Sequence, residues 1–342
     1  MPRTTALLTG TLVTVGLLLG LWWLLGIRSP SEPPVINPTL AGKAFRENAG
    51  VRREPILPMP ETLNLDEAKV QLGRQLFHDG RLSRDGSVSC ASCHDLRHGG
   101  VDGLSRSVGV GGAVGGINAP SVLTAALNFR QFWDGRSPTL EDQAAGPVHN
   151  PIEMNANWDL VVPRLESDGD FHRRFLAAFP EGINGNTITQ AIAEFERSLL
   201  TPSRFDRWLR GEDRALSRDE LAGYRLFKRH GCIACHQGVN VGGNLYQRFG
   251  IMRDPFSGKA STNAADLGRY NVTHKEEDRF VFKVPTLRNI ALTAPYFHDG
   301  SSRQLDDAVR VMGWAQLGVE LPERDVELIT LFLGTLTGEA QP

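Results

Sequence analysis

The sequence predicts a mainly α-helical fold built from two tandem, related units behind a long apolar N-terminal segment. Three observations predict it. The pattern Cys-x-x-Cys-His occurs twice, as Cys90-Ala91-Ser92-Cys93-His94 and Cys232-Ile233-Ala234-Cys235-His236. The residues around each copy repeat at a fixed offset, the mark of two related structural units. Helix-start signals with apolar faces recur, whereas strand signals are few and short.

The repeated pattern is the attachment motif of c-type haem. Two thiols three residues apart on a helical turn can both form thioethers to the haem vinyls, and the adjacent histidine then binds iron from beneath the ring. One such pentapeptide would also suit a redox dithiol or half a zinc site. Here the two copies use all 4 cysteines of the chain, which favours two covalent haems and makes each unit cytochrome c-like.

The 342 residues suffice for two such domains. Net charge is −2 with basic residues scattered, which argues against a nucleic-acid partner. Between Arg3 and Arg28 no residue is charged. The run is longer than the ~7–15-residue apolar core of a cleavable signal peptide and close to the ~20 residues of a bilayer span. Trp22 and Trp23 stand near its end, where indoles favour the membrane interface. Residues 1–28 are therefore read as an anchor in preference to a cleaved signal. Either reading exports the body to the periplasm, where an inner-membrane anchor would hold it.

Residues 29–60 hold Pro30, Pro33, Pro34, Pro38, Pro55, Pro58 and Pro60 with little periodic pattern, and read as a tether. The first unit spans 61–202. Its first helix is expected near Asn64, with Glu67 completing a capping box and Ala68, Leu72 and Leu76 on one face. A helix from Thr187, with Gln190 as box partner, carries Ile188, Ala191, Ile192, Phe195 and Leu199 on its apolar face and stops at Thr201-Pro202-Ser203. The second unit spans 203–342. It opens with a helix at Ser217, boxed by Glu220, and closes with one over about 323–336. Gly73 and Gly223 each precede a Leu-Phe pair. Pro120-Ser121-Val122 matches Pro285-Thr286-Leu287, Phe132-Trp133-Asp134-Gly135 matches Phe297-His298-Asp299-Gly300, and Leu140–Ala144 matches Leu305–Ala308. The glycine-rich run 99–116 is expected as a loop about a haem.

The sixth ligand decides what each iron does. Methionine closes a site for electron transfer, and the candidates are Met59, Met154, Met252 and Met312. Met312, after a helical stretch and before Gly313, has the spacing of either a ligand or a core residue. An open iron beside a carboxylate suits peroxide cleavage, because a carboxylate can shuttle a proton between the two oxygens while an amide orients them. Glu153 and Gln143 are candidates for those parts, though either could be an ordinary surface residue.

With these residues the chain resembles the bacterial di-haem cytochrome c peroxidase family from about Leu65 to the C-terminus. The motifs are Cys90–His94 running on to Gly103, Gln131–Arg136, Gly146–Met154, Cys232–His236, Leu287–His298 and Met312–Gly318. The resemblance implies that His94 binds the peroxidatic, low-potential haem, with Gln143 and Glu153 lining its distal pocket. His236 and Met312 would ligate the electron-accepting haem, and Trp133 would relay charge between them. Asn118, Thr293 and Pro295 match positions that hold a calcium ion. One departure matters: where the family often supplies a distal histidine, Ser107-Val108-Gly109-Val110-Gly111 offers valine. That iron is therefore expected to rest open or with water, without prior reduction of the other haem, unless His98 or His149 reaches it.

The expected activity is reduction of hydrogen peroxide to water with electrons from a small cytochrome c, a cupredoxin or membrane quinol. The competing reading is a MauG-like oxidase acting on a partner protein, a branch that typically has tyrosine where Met312 stands. A homodimer is a further implication of the resemblance.

Overall fold

In the computed structural model, residues 51–61, 63–257 and 263–338 are described. The expected anchor at 1–28 and the tether as far as residue 50 lie outside them. Among the described residues no helix is long and apolar enough to cross a membrane.

The fold is mainly helical, as the periodicity predicts. Helix α1 (Glu67–Phe77) leads to the single turn α2 (Cys90–Cys93), and a loop of 3₁₀ turns then runs to α3 (Leu140–His149). Next come α4 (Trp158–Glu166), α5 (Gly169–Ala178), α6 (Gly185–Ser198), α7 (Arg204–Leu209) and α8 (Arg218–Arg229). The two short strands, β1 (Tyr246–Arg248) and β2 (Val281–Lys283), pair antiparallel and flank α9 (Tyr270–Thr273). Helix α10 (Leu305–Met312) passes into a π-helical turn over Gly313–Leu317, and α11 (Glu323–Gly334) ends the described chain.

Two helix starts differ from expectation. Asp66, not Asn64, caps α1, because its carboxylate accepts from both the Ala68 and Lys69 amides. Asn184 caps α6, and Thr187 is the third residue inside, its hydroxyl returning to the Asn184 amide. The Ser217–Glu220 box opens α8 as read.

The larger apolar cores are two. The first draws Leu72 and Leu76 of α1, Phe171 and Phe175 of α5, and Ile188 and Ile192 of α6 into one cluster. In the second, Phe205, Tyr224, Phe227 and Phe332 meet with ring centroids 5.0–5.2 Å apart. Each core contains one close helix crossing. A Cβ added at Gly73 of α1 would stand 1.9 Å from the Ala191 carbonyl oxygen of α6, and one at Gly223 of α8 would stand 1.9 Å from that of Leu328 in α11. Only hydrogen fits at either point, which is why both sequence repeats carry glycine there. Twin positions elsewhere share unusual backbone as well: Thr124 and Asn289 have φ of 62° and 60°, Phe132 and Phe297 of 66° and 69°.

Residues 51–60, the end of the proline-rich stretch, lie along the second core. Ile56 and Met59 are fully buried. Arg52 donates through Nε to the Trp208 carbonyl at 2.7 Å, and Glu54 accepts from Tyr224 and Lys228 at 2.9 and 2.8 Å. The buried Arg288–Asp206 pair fixes this strap further, Asp206 accepting from the Met59 amide and Arg288 donating to the Leu57 carbonyl.

Candidate di-haem site

Each Cys-x-x-Cys-His motif occupies a tight turn whose form follows from short-range hydrogen bonds. Ser89 and Ser92 cap α2, with the Ser92 hydroxyl accepting from the Ser89 amide at 3.0 Å. In the second copy Gly231, at φ 87°, enters a 3₁₀ turn over Cys232–Ala234. All four cysteines are half-buried, and no disulfide joins them.

The histidines are held alike. His94 Nδ1 lies 3.2 Å from the Gly100 carbonyl oxygen, and His236 Nδ1 lies 3.3 Å from that of Val241. The carbonyls of Pro120 and Pro285, which the sequence repeat pairs, also bond to His94 and His236 respectively. With Nδ1 donating, Nε2 of each ring is left as the metal-binding nitrogen. Burial lowers the proton affinity of both rings, that of His236 to about 4. Each is thus in the neutral form that ligates metal. Burial also pushes the Cys90 thiol up to about 12 and Cys232 to about 11. The residues fit two covalent haems.

Around the first motif the structure gathers the expected acid. Glu153 is half-buried, and Asn150 Nδ2 donates to its Oε1 at 2.7 Å. Burial raises its carboxyl above the ordinary range, against the opposing pull of that hydrogen bond and of the Arg136 charge. Its charge acts on the Cys93 thiol, so it lies within electrostatic reach of the haem turn. Val110 is there too, its amide donating to the Glu153 carbonyl at 2.8 Å. Gln143 lies half-buried on α3, three residues before the Gly146-Pro147 step. The two alternative histidines have other partners: His98 is exposed and bonds Asp95 at 2.8 Å, and His149 sets its ring against Trp158 at 5.0 Å.

Trp133 donates from Nε1 to the Asn118 carbonyl at 2.9 Å. The Asn118 amide in turn donates to the His298 carbonyl at 2.8 Å, three residues beyond Pro295. Asn118 is buried, with Nδ2 on the Leu104 carbonyl at 2.9 Å, and Thr293 donates to the Ile290 carbonyl at 3.2 Å. Of the candidate methionines, Met59 and Met154 are enclosed in the cores and Met252 is 61 % exposed. Met312 is half-buried at the end of α10, next to the π-helical turn; such turns often mark functional sites.

Two groups escaped sequence reasoning. Arg136 stacks its guanidinium 3.4 Å over the Phe132 ring and acts electrostatically on Glu153. Glu196 is buried on α6 beside Cys90, and burial pushes its carboxyl up to about 8. Its position four residues after Ile192, on the apolar face, was the available signal.

Comparison with known proteins follows the same line. The family model for di-haem cytochrome c peroxidase matches residues 67–214. The cytochrome c peroxidase Ccp of Escherichia coli K12 is 50% identical over 293 residues, covering 85% of this chain and 63% of that protein. This chain thus spans less than two thirds of that relative. The cytochrome c551 peroxidase of Nitrosomonas europaea is 46% identical over 300 residues, covering 86% of this chain and 88% of its own. A solved MauG-like protein associated with microbial copper homeostasis superposes with a TM-score of 0.72 at 31% identity, over 85% of this chain and 96% of the other.

Proposed function

The chain belongs to the di-haem cytochrome c peroxidase family, and on that footing we propose that it reduces hydrogen peroxide to water in the half carrying His94. Electrons would enter through the half carrying His236 and Met312, each half forming one cytochrome c-like domain (61–202 and 203–342). The observation that carries the reading is a half-buried acid, Glu153, within electrostatic reach of one of two matched haem turns.

Cys90, Cys93 and His94 would hold a haem, which would supply redox chemistry toward peroxide. The chain does the proton work. With Asn150 Nδ2 bonded to Oε1, the Glu153 carboxylate takes a proton from one peroxide oxygen and returns it to the other, which leaves as water. Two electrons and two protons convert one hydrogen peroxide to two waters. Gln143 orients the substrate through its amide. Val110, whose amide donates to the Glu153 carbonyl, has no side-chain lone pair and would not ligate the iron of a haem bound there. Trp133, its indole N–H tied to Asn118, carries charge between the halves.

The remaining parts of the reading follow from the motifs. The protein works in the periplasm, held to the inner membrane by residues 1–28, and draws on a small cytochrome c, a cupredoxin or quinol. A calcium ion is held at Asn118, Thr293 and Pro295, and two copies pair. Met312 in place of tyrosine favours peroxide reduction over MauG-like oxidation of a partner protein. The test is steady-state turnover of the purified two-haem protein with hydrogen peroxide and reduced cytochrome c. Turnover, together with a high-spin ferric signal in the resting enzyme, is the expected result. A protein with two haems and no turnover, or with both irons low-spin in every redox state, refutes it.

A further inference from the structure

Lys283 is a buried cation without a counter-ion. It is 6 % exposed, at the end of β2 and opposite Tyr246. Its backbone amide donates to the Trp133 carbonyl at 2.8 Å. Two residues further on, the Pro285 carbonyl bonds the His236 imidazole. Lys283 therefore sits where the chain passes from the indole to the second haem turn. Among the described residues no carboxylate or carbonyl accepts from its Nζ, and burial alone acts on its ammonium, pushing it down to about 8.

A lysine this enclosed is rarely left unpaired, because the hydration its ammonium loses is made good only by a close anion or acceptor. The other deeply buried cation of this half shows the usual remedy: Arg288 spends its donors on Asp206 and on two backbone carbonyls. Lys283 has three donors and no such set among the described residues, which leaves its ammonium open to an anion from outside the chain. A haem at the turn that follows would bring two carboxylates on one edge.

We infer that the Lys283 ammonium is the seat of a propionate carboxylate of the haem held by Cys232, Cys235 and His236. The inference rests on the reading that this turn carries haem. A fixed positive charge there favours the ferrous state over the ferric. It therefore helps make this haem the electron-accepting partner while lying one backbone hydrogen bond from Trp133.

The experiment is a spectroelectrochemical titration of the full two-haem protein as wild type, Lys283→Met, Lys283→Gln and Lys283→Arg, with haem counted by the pyridine haemochrome. A Cys232→Ser/Cys235→Ser protein identifies which midpoint belongs to the first haem. Losing the charge is expected to shift the second haem toward ferric by about ten-fold at fixed poise, or about 59 mV for one electron, with Arg restoring most of it. If both neutral variants fail to take up the second haem while Arg loads normally, the charge is required for seating and the inference stands. Loaded neutral variants with an unmoved second midpoint overturn it. So does a shift confined to the first haem, or an Arg variant that fails to load. Wild-type protein with fewer than two covalent haems would instead refute the functional reading itself.

Discussion

Replacing Asp206 with asparagine removes one charge from the interior and almost nothing else. Asp206 and Arg288 are both fully shielded, with Nη1 2.6 Å from Oδ2. The carboxylate also accepts from the Met59 amide at 2.7 Å and from the Ser203 amide and hydroxyl at 2.7 and 2.8 Å. Arg288 donates from Nε and Nη2 to the Val239 carbonyl at 2.9 and 2.7 Å and from Nη2 to that of Leu57 at 3.2 Å. The pair joins the 51–60 strap, the start of α7, the loop before Val241 and the turn after Pro285. Asparagine keeps the shape but strands the guanidinium, and breaking a buried pair in this way costs roughly 3–5 kcal/mol. Total stabilities are only about 5–15 kcal/mol, so urea unfolding of the holoprotein should show a large fall in midpoint. Pairing Asp206→Asn with Arg288→Met should recover part of the loss. Acid adds a second readout. Burial by itself would raise the Asp206 carboxyl, but the Arg288 charge and the hydrogen bonds outweigh it and hold the group below its usual 3.8. Such a group lends stability above its unfolded value that is lost as pH falls through the lower folded one. Wild type should therefore lose more stability than Asp206→Asn below about pH 4. A loss under ~1 kcal/mol at neutral pH, in the range of an exposed pair, would refute the reasoning.

Three further predictions use other sites. Glu153→Gln should lower kcat/KM for peroxide by about 10²–10⁴ while leaving haem content intact. In wild type that activity should rise through a step above the ordinary carboxylate range, since burial raises the Glu153 carboxyl and only its ionised form takes a proton. Turnover in the variant equal to wild type would remove Glu153 from the mechanism. Glu196, held protonated to about pH 8 by burial, ionises near 4.5 once unfolded. Its contribution is thus complete below 4.5 and disappears as pH rises through 8, so Glu196→Gln should flatten the fall in Tm between pH 5 and 9; parallel Tm curves would contradict this. Gly223→Ala places a methyl 1.9 Å from the Leu328 carbonyl oxygen and should cost about 1–3 kcal/mol in denaturant, whereas alanine at half-buried Gly182, with nothing within 4 Å but a φ of 84°, tests strain without a clash.

What was legible in the sequence was local. The haem turns could be read because thiols and imidazole lie within five residues, and α8 because Ser217, Glu220 and an apolar face occur together. Helices α4 and α5 carry no such announcement: Pro163 lies inside the first, and the second takes its face from Phe171 and Phe175 alone. The 51–60 strap looked like a tether because prolines dominate it. Its ordering depends on Asp206 and Arg288, far along the chain, and no local pattern records that. The same holds at the site. Glu153 could be nominated from its segment, but its nearness to Cys93 and Arg136 is three-dimensional. The burial of Lys283 likewise has no local signal in the sequence.

The strap has a mechanical consequence. Residues 51–60 precede the first haem half in sequence yet are fastened to the second core by Arg52, Glu54 and Met59. Any pull arriving through the N-terminal end is therefore borne first by α7, α8 and the Arg288 clamp, and α1 is spared until those stitches give way. The half carrying His94 is in this sense insulated from a load arriving at residue 51, which falls on the half carrying His236.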